Sequence, residues 1–474
     1  MTANPLAPPW LAVPADANAL AEGVWPAGAA RATGGGLDLA GVSAVELASR
    51  FGTPLYVLDE SDARSRAAGI RTAFADAFAP HGAAVTVYYA GKAFLSSEVA
   101  RWMADEGLGL DVASGGELAV ALASGFDPAR IGFHGNNKSQ DELDRAIGAG
   151  IGSIVLDSEL ELERVAAAAA RLGVVQAVRV RANSGVNAHT HDYLATSRED
   201  QKFGIALVDV PAIVARIRSV ESLRFLGLHS HIGSQIFDAA GFVEAIGRLM
   251  AVHAMLLESG PVPELNIGGG FGIAYTSADR PMPMGELASA LAEAVAREAE
   301  RFGVHVPGIS IEPGRAIIGP AGVTLYTVGT IKDVDVSVAD SSAIRRYVSV
   351  DGGMSDNVRP ALYGAEYSAR LANRRSDASP VLARVAGKHC ESGDIVVHDE
   401  YLPGDVAPGD ILAVPATGAY CWSLASNYNY LGRPAVVAVA NGSARLIVRR
   451  ESEADLLSRD VGLSEHSATE GATR

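Results

Sequence analysis

Residues 85–93 read VTVYYAGKA: a β-branched and aromatic run that stops at Gly91 and delivers Lys92 directly after it. Such residues favour an extended strand, and the glycine ends it. A helical stretch follows. The same unit of short apolar run, polar or glycine turn and helical stretch recurs at Leu108–Val112, Ile131–His134, Ser153–Leu156, Ala177–Arg181, Phe225–His229, Glu264–Ile267 and Ile309–Glu312. Between these runs the spacing is helical, with Val243, Ile246, Met250 and Leu257 on one face and Leu287, Leu291 and Val295 on another. The alanine run Ala166–Ala170 reads as helix interior, since alanine has the best helix propensity. Eight such units over about 250 residues predict an α/β fold, a TIM-type (β/α)8 barrel rather than an open doubly wound sheet.

Beyond about residue 320 the texture changes. Thr324–Ile331, Tyr347–Val350, Val381–Val385, Ile395–Val397, Ile411–Val414 and Ala435–Val439 read as strands without long helices between them, which predicts a separate antiparallel β domain. Leu55–Leu58 precedes the first barrel unit and reads as a further strand of that domain, making it discontinuous. The expected layout is a flexible lead-in over residues 1–36, rich in Ala, Pro and Gly, a β domain from 37–58 and 321–450, a barrel over 59–320, and a polar tail over 451–474.

The 474 residues are 48% hydrophobic and 20% charged, an ordinary globular composition that excludes wholesale disorder. Asp and Glu outnumber Lys and Arg by 55 to 39, a formal charge of -16, which argues against nucleic acid or anionic lipid as a partner. No secretory n-region or membrane span is visible, so the expected location is cytoplasmic. Two cysteines, Cys390 and Cys421, are too few for a disulfide framework or a four-thiolate metal site.

In a barrel of this kind functional side chains sit at the C-terminal ends of the strands. Lys92, Asp111, His134, Arg181, His229, His231 and Glu312 end or follow the predicted strands. Gly268-Gly269-Gly270 follows the seventh and Gly314 the eighth, where backbone amides cradle phosphates in many barrels. Two nucleotide motifs fail: Thr86 and Ala93 break a P-loop around Gly91-Lys92, and Ile273 stands where a dinucleotide fingerprint needs its last glycine. His229-Ser230-His231 has the spacing of a metal pair, but no carboxylate set completes a metal centre. Lys92 lies among Tyr88, Tyr89 and Phe94, and burial there is expected to depress its pKa and make it a nucleophilic amine. A barrel-mouth lysine, a phosphate cradle and a strand-end carboxylate together match the needs of pyridoxal 5'-phosphate.

At these residues the chain resembles the fold type III pyridoxal 5'-phosphate-dependent decarboxylases that act on ornithine, diaminopimelate and arginine, with an alanine racemase-like two-domain architecture. The resemblance runs from about Gly52 to Asn429. It is carried by Tyr89-Ala90-Gly91-Lys92-Ala93, Asp111 to Glu117, His229 to Gln235, Asn266 to Gly272, Glu312-Pro313-Gly314-Arg315, Asp351 to Met354, Arg359 to Gly364, Cys390 to Asp394 and Gly418-Ala419-Tyr420. It implies that Lys92 binds the cofactor aldehyde covalently, His231 stacks on the ring and Glu312 pairs with the pyridine nitrogen. Asp111 belongs to the same cofactor site, and Ser234, Gly270, Gly314 and Tyr420 hold the phosphate. Arg315, Arg359 and Tyr363 look like a clamp for a distal carboxylate, Glu391 like the partner of a distal amine, and Tyr420 also faces the substrate.

Arg359 with Tyr363 favours meso-2,6-diaminopimelate over a plain distal amine. The implied reaction yields L-lysine and carbon dioxide, the last step of lysine biosynthesis, with another amino acid such as ornithine or arginine as the alternative substrate. Cys390 matches the family's cysteine near the reacting carbon, across a subunit boundary, so a homodimer with shared sites is implied. Ser230 stands where many relatives carry Cys. The segment Ala188–Gly204, with His189 and His191, resembles an insert typical of one branch of the family.

Overall fold

The computed structural model describes residues 4–186, 202–338 and 341–463. Ala188 to Gln201 of the insert just named lie outside them. The chain divides into two compact units, one of residues 63–273 and 280–318, the other of residues 1–62, 274–279 and 319–474.

The first unit is the expected barrel. Its strands are β1 (Val85–Ala90), β2 (Gly109–Val112), β3 (Ile131–Phe133), β4 (Ser153–Leu156), β5 (Gln176–Asn183), β6 (Leu223–His229), β7 (Glu264–Asn266) and β8 (Gly308–Ile311). Each pairs in parallel with the next, β8 pairs with β1, and the cylinder closes. A two-residue strand, Ile205–Ala206, pairs in parallel with the C-terminal end of β5 at Ala182 and Asn183. The turn from strand to helix is written in serines. Ser96, Ser114, Ser139 and Ser158 each accept a hydrogen bond from the backbone N–H three residues on, capping the helices after β1 to β4.

Polar side chains in the barrel interior hydrogen-bond to one another. Arg179 on β5 donates to Tyr88 Oη at 3.1 Å and Glu264 Oε1 at 2.8 Å, and also to Ser153 Oγ. Ser310 completes the layer by donating to Glu264 Oε2 at 3.1 Å. Gly109 makes room for it, since a Cβ there would meet the Tyr88 ring at 2.6 Å. Burying Arg179 is tolerated because its carboxylate and hydroxyl partners replace water. Outside, the 18-residue helix Ala240–Leu257 is long and apolar enough to match a membrane span. Here it carries Glu244 and Arg248 and buries Phe242, Ile246, Leu249 and Met250 against protein, as a barrel-shell helix does.

The second unit is a sheet running Ile395–Pro403, Pro380–Ala386, Ser341–Val350, Gly322–Val338, Leu55–Asp59, Ala435–Ala440 and Ser443–Val448, with Ile411–Pro415 on the other edge of Val323–Thr327. Leu55–Asp59 lies between Gly322–Val338 and Ala435–Ala440. Most pairs are antiparallel as expected, but two are parallel: Leu55–Asp59 with Ala435–Ala440, and Ser341–Val350 with Pro380–Ala386. The 322–350 hairpin is longer than its sequence signal, because Lys332, Asp333, Asp335, Arg345 and Arg346 interrupt it and leave no apolar run. The expected loose lead-in is corrected. Val24 and Trp25 are buried with Leu37, Leu39, Leu55, Val57, Leu325 and Val437, and Ala29–Arg31 pairs with Leu37–Leu39. Two large apolar side chains amid Ala and Pro suffice to pin this segment, each contributing roughly 1.5–3 kcal/mol on burial.

Candidate active site

The C-terminal ends of the barrel strands converge on one carboxylate. Glu312 follows β8 and is buried. Asn266, ending β7, donates Nδ2 to Glu312 Oε1 at 2.7 Å. His229, ending β6, brings Nε2 to 3.2 Å, and His134, just past β3, brings Nε2 to 3.4 Å. His134 Nε2 also lies 3.2 Å from Asp111 Oδ1, on β2. The two imidazoles meet edge to face at 5.0 Å.

These contacts set the charges. Burial resists ionising Glu312, but His134 and His229 outweigh it and hold the carboxyl well below the usual range. Asp111 goes the other way, pushed well above its ordinary value by burial and by the Glu312 charge. Of two neighbouring carboxyls, one is kept as the anion and the other takes up a proton more readily. Burial lowers His134 to about 4 and also lowers His229. His231, two residues past the end of β6, is pushed well below its ordinary value by burial and then by the nearby Lys92 ammonium. It presents a neutral ring.

Lys92 sits in the single turn Gly91–Ala93 that leaves β1. The expectation of burial is corrected: Tyr89, Ala93 and Phe94 are buried, whereas Lys92 is exposed. The chain turns at Gly91, so the aromatic neighbours face the core and the amine faces the barrel mouth. Its charge acts on Asp111, Glu117, His134 and His231.

The glycine run forms the other wall. Glu312 N–H donates to Gly268 O at 2.9 Å, and a Cβ on Gly269 would stand 2.1 Å from Glu312 O. Gly270, at φ +112°, passes so close to Gly233 that a Cβ would meet its carbonyl at 2.3 Å. Gly314 packs on Ala90 and Ala93, at 3.0 Å for a Cβ. The backbone is bare here because the loops must touch. Ser234 is exposed at the rim and accepts from Arg315 Nη2 at 2.8 Å. Gly269→Ala is therefore expected to push the loop off Glu312, lowering stability by about 1–3 kcal/mol and loosening whatever the loop holds. Thermal melts and cofactor absorbance after dialysis check this, and unchanged values for both contradict it.

Among the described residues, the His134, His229 and Glu312 ligand atoms lie within 4.8 Å of one another and have the composition of a metal triad. The same atoms are already used in the hydrogen bonds that orient the carboxylate. Reading strand ends one by one left His134, His229 and Asn266 without roles, although all three were visible at such positions. Their convergence on Glu312 needs the closed barrel.

The remaining sequence-predicted residues belong to the second unit. Arg359 and Tyr363 share the helix Arg359–Tyr363, the first buried and the second 61% exposed. Cys390 and Glu391 are exposed on the turn between Pro380–Ala386 and Ile395–Pro403. That turn is tied down by Asp394, which accepts from Met354 N–H at 2.6 Å and His389 N–H at 2.7 Å. Glu391 lines an open cavity of about 480 Å3 with Met354, Val358, Ser426 and Tyr428. Tyr420 is half-buried at φ +62°.

Residues 67–319 match the family described as pyridoxal-dependent decarboxylase, pyridoxal binding domain. The diaminopimelate decarboxylase of Mycobacterium tuberculosis is 53% identical over 450 residues, covering 93% of this chain and 98% of the relative. That of Bacillus subtilis is 46% identical, covering 90% and 95%. The solved structure of the M. jannaschii diaminopimelate decarboxylase in complex with L-lysine superposes with a TM-score of 0.82 at 32% identity, covering 92% of this chain and 98% of that one. The chain is thus a pyridoxal-dependent decarboxylase of the barrel-plus-sheet class. Within that class it belongs to the diaminopimelate decarboxylase family.

The site fits pyridoxal 5'-phosphate on features of its own. A buried carboxyl held low suits a protonated ring nitrogen, an amine stands at the same mouth, and the glycine loops there pack too closely to carry side chains, leaving backbone amides as the groups a phosphate would meet.

Proposed function

We propose that Lys92, Glu312, His231 and Asp111 form the cofactor half of a decarboxylase site, with Ser234, Gly270, Gly314 and Tyr420 on the phosphate. The chain itself is a pyridoxal 5'-phosphate-dependent carboxy-lyase that converts meso-2,6-diaminopimelate to L-lysine and carbon dioxide. Bound in the site, the cofactor supplies an electron sink for the pair left on carbon when carbon dioxide departs. Lys92 contributes the amine that holds the cofactor covalently. Glu312 keeps a proton on the ring nitrogen, and the convergence of Asn266, His229 and His134 on its buried carboxylate is the observation that carries this reading. His231, neutral by burial, offers a flat ring face without a competing charge. Cys390 is the proposed donor of the proton that replaces carbon dioxide, and its exposure is compatible with serving a neighbouring copy's site.

The substrate half comprises Arg315, Arg359 and Tyr363 on the distal carboxylate, Glu391 on the distal amine, and Tyr420. Support comes from the charges: two guanidiniums for an anion and an exposed acid for an ammonium. Carbon dioxide release from meso-diaminopimelate and from ornithine tests it. Arg359→Ala is expected to cost several kcal/mol in kcat/KM on the former and much less on the latter. Equal losses would remove Arg359 from the clamp.

A cytoplasmic homodimer with shared sites completes the proposal. Mixing inactive Lys92→Ala and Cys390→Ala chains is expected to restore about a quarter of wild-type activity, since half the dimers are mixed and each carries one intact site. No recovery after verified subunit exchange would exclude a shared site.

A further inference from the structure

Among the described residues, Arg359 is a buried cation without a buried anion beside it. Its residue is 6% exposed, and among the described residues its guanidinium meets no carboxylate. Leaving a charge in that state costs several kcal/mol unless something compensates it. What surrounds it is aromatic: the guanidinium carbon lies 4.7 Å from the Tyr275 ring centre and 5.6 Å from that of Tyr367. The two rings meet edge to face at 5.1 Å, an angle of 74°. Burial holds the Tyr367 phenol well above its ordinary value, so it stays a neutral hydroxyl.

That hydroxyl is one link in a closed circuit. Arg359 Nη1 donates to Tyr367 Oη, which lies 3.6 Å from Cys421 Sγ. Cys421 Sγ donates to Asn357 Oδ1 at 3.5 Å, and Asn357 Oδ1 accepts the Arg359 backbone N–H at 3.3 Å. The four contacts run in one consistent sense when Tyr367 donates to the thiol. Tyr275 is anchored separately, its N–H and that of Thr276 donating to Asp279 Oδ2 at 2.9 and 2.8 Å. A long flexible side chain is thereby fixed at its stem, its edge and its face.

We infer that Tyr275 and Tyr367 are positioning residues that hold the Arg359 guanidinium, uncompensated, for the carboxylate that the substrate keeps. The inference rests on the reading of Arg359 as part of the distal clamp and deepens it. Aromatic faces and a neutral hydroxyl orient the cation while leaving its charge unspent, which a carboxylate partner would not. Pre-ordering also removes side-chain entropy before the substrate arrives. Loss of carbon dioxide from one end of diaminopimelate leaves the other carboxylate intact in L-lysine, so product and substrate share this contact. Cadaverine, which is L-lysine without the carboxylate, lacks it.

The test measures KM and kcat for meso-diaminopimelate and competitive Ki values for L-lysine and cadaverine on the holoenzyme. Tyr367→Phe and Tyr275→Leu are each expected to raise KM and the L-lysine Ki about tenfold, leaving the cadaverine Ki and kcat within about threefold. Tyr275→Phe, which keeps the ring, is expected to restore wild-type values. Should both inhibitors weaken together, the tyrosines support only the fold and the inference is overturned. If Arg359→Ala erases discrimination between the inhibitors but the tyrosine variants keep it, Arg359 binds the carboxylate without their help, which again overturns it. Discrimination that survives Arg359→Ala overturns the clamp reading itself.

Discussion

Lys92→Ala is expected to abolish turnover of meso-diaminopimelate while the chain still folds. Lys92 is exposed at the barrel mouth, so truncation removes little buried surface, and stability is expected to stay within about 0.5 kcal/mol. What disappears is the amine proposed to fix the cofactor against the residues around Glu312. A loss of at least about a thousandfold in kcat, about 4 kcal/mol of barrier, is the expected size. Borohydride treatment followed by peptide mapping gives an independent readout. The wild-type chain should carry the label on the peptide containing Lys92, and the variant should carry none. Turnover at the wild-type level, or a label on another lysine, would move the reactive amine elsewhere.

Glu312→Gln is expected to depress the chemical step far more than substrate binding. The amide keeps the size of the side chain and an oxygen for Asn266, but it loses the charge that keeps a proton on the ring nitrogen. Stabilisation present only in the transition state shows up in kcat and in kcat/KM alike. A fall of about a hundredfold to a thousandfold in both, or about 3–4 kcal/mol, with KM within a few-fold, is the predicted pattern. A raised KM at unchanged kcat would assign Glu312 to substrate binding instead. Because the Glu312 charge partly offsets the burial that lowers His134 and His229, the variant should lower both imidazoles further. Histidine NMR titrations read that shift without any turnover.

Much of the barrel is legible in the chain. Each strand announces itself as a short apolar run, and Ser114, Ser139 and Ser158 with their glutamates mark where the next helix begins. Elsewhere the local signal misleads. The 322–350 hairpin hides behind alternating charges, because half of it faces solvent and needs no apolar residue there. The N-terminal segment looks loose by its glycines, yet Val24 and Trp25 bury against strands from distant parts of the chain. Lys92 looks buried by its neighbours and is exposed, because one turn at Gly91 separates the aromatic side chains from the amine.

The order of residues alone determined the eight-fold repeat and the family, and it singled out the lysine, the acid and the glycine loops proposed for the cofactor, since each depends on chemistry carried within a few adjacent positions. Closure of the sheet decided the rest. Asp111 and His134 come from one pair of adjacent strands and His229 and Asn266 from another, and only closure of the cylinder brings the two pairs together around Glu312. The setting of Arg359 between Tyr275 and Tyr367 is likewise a product of packing, because burial and ring geometry are properties of assembled surfaces that no local pattern encodes.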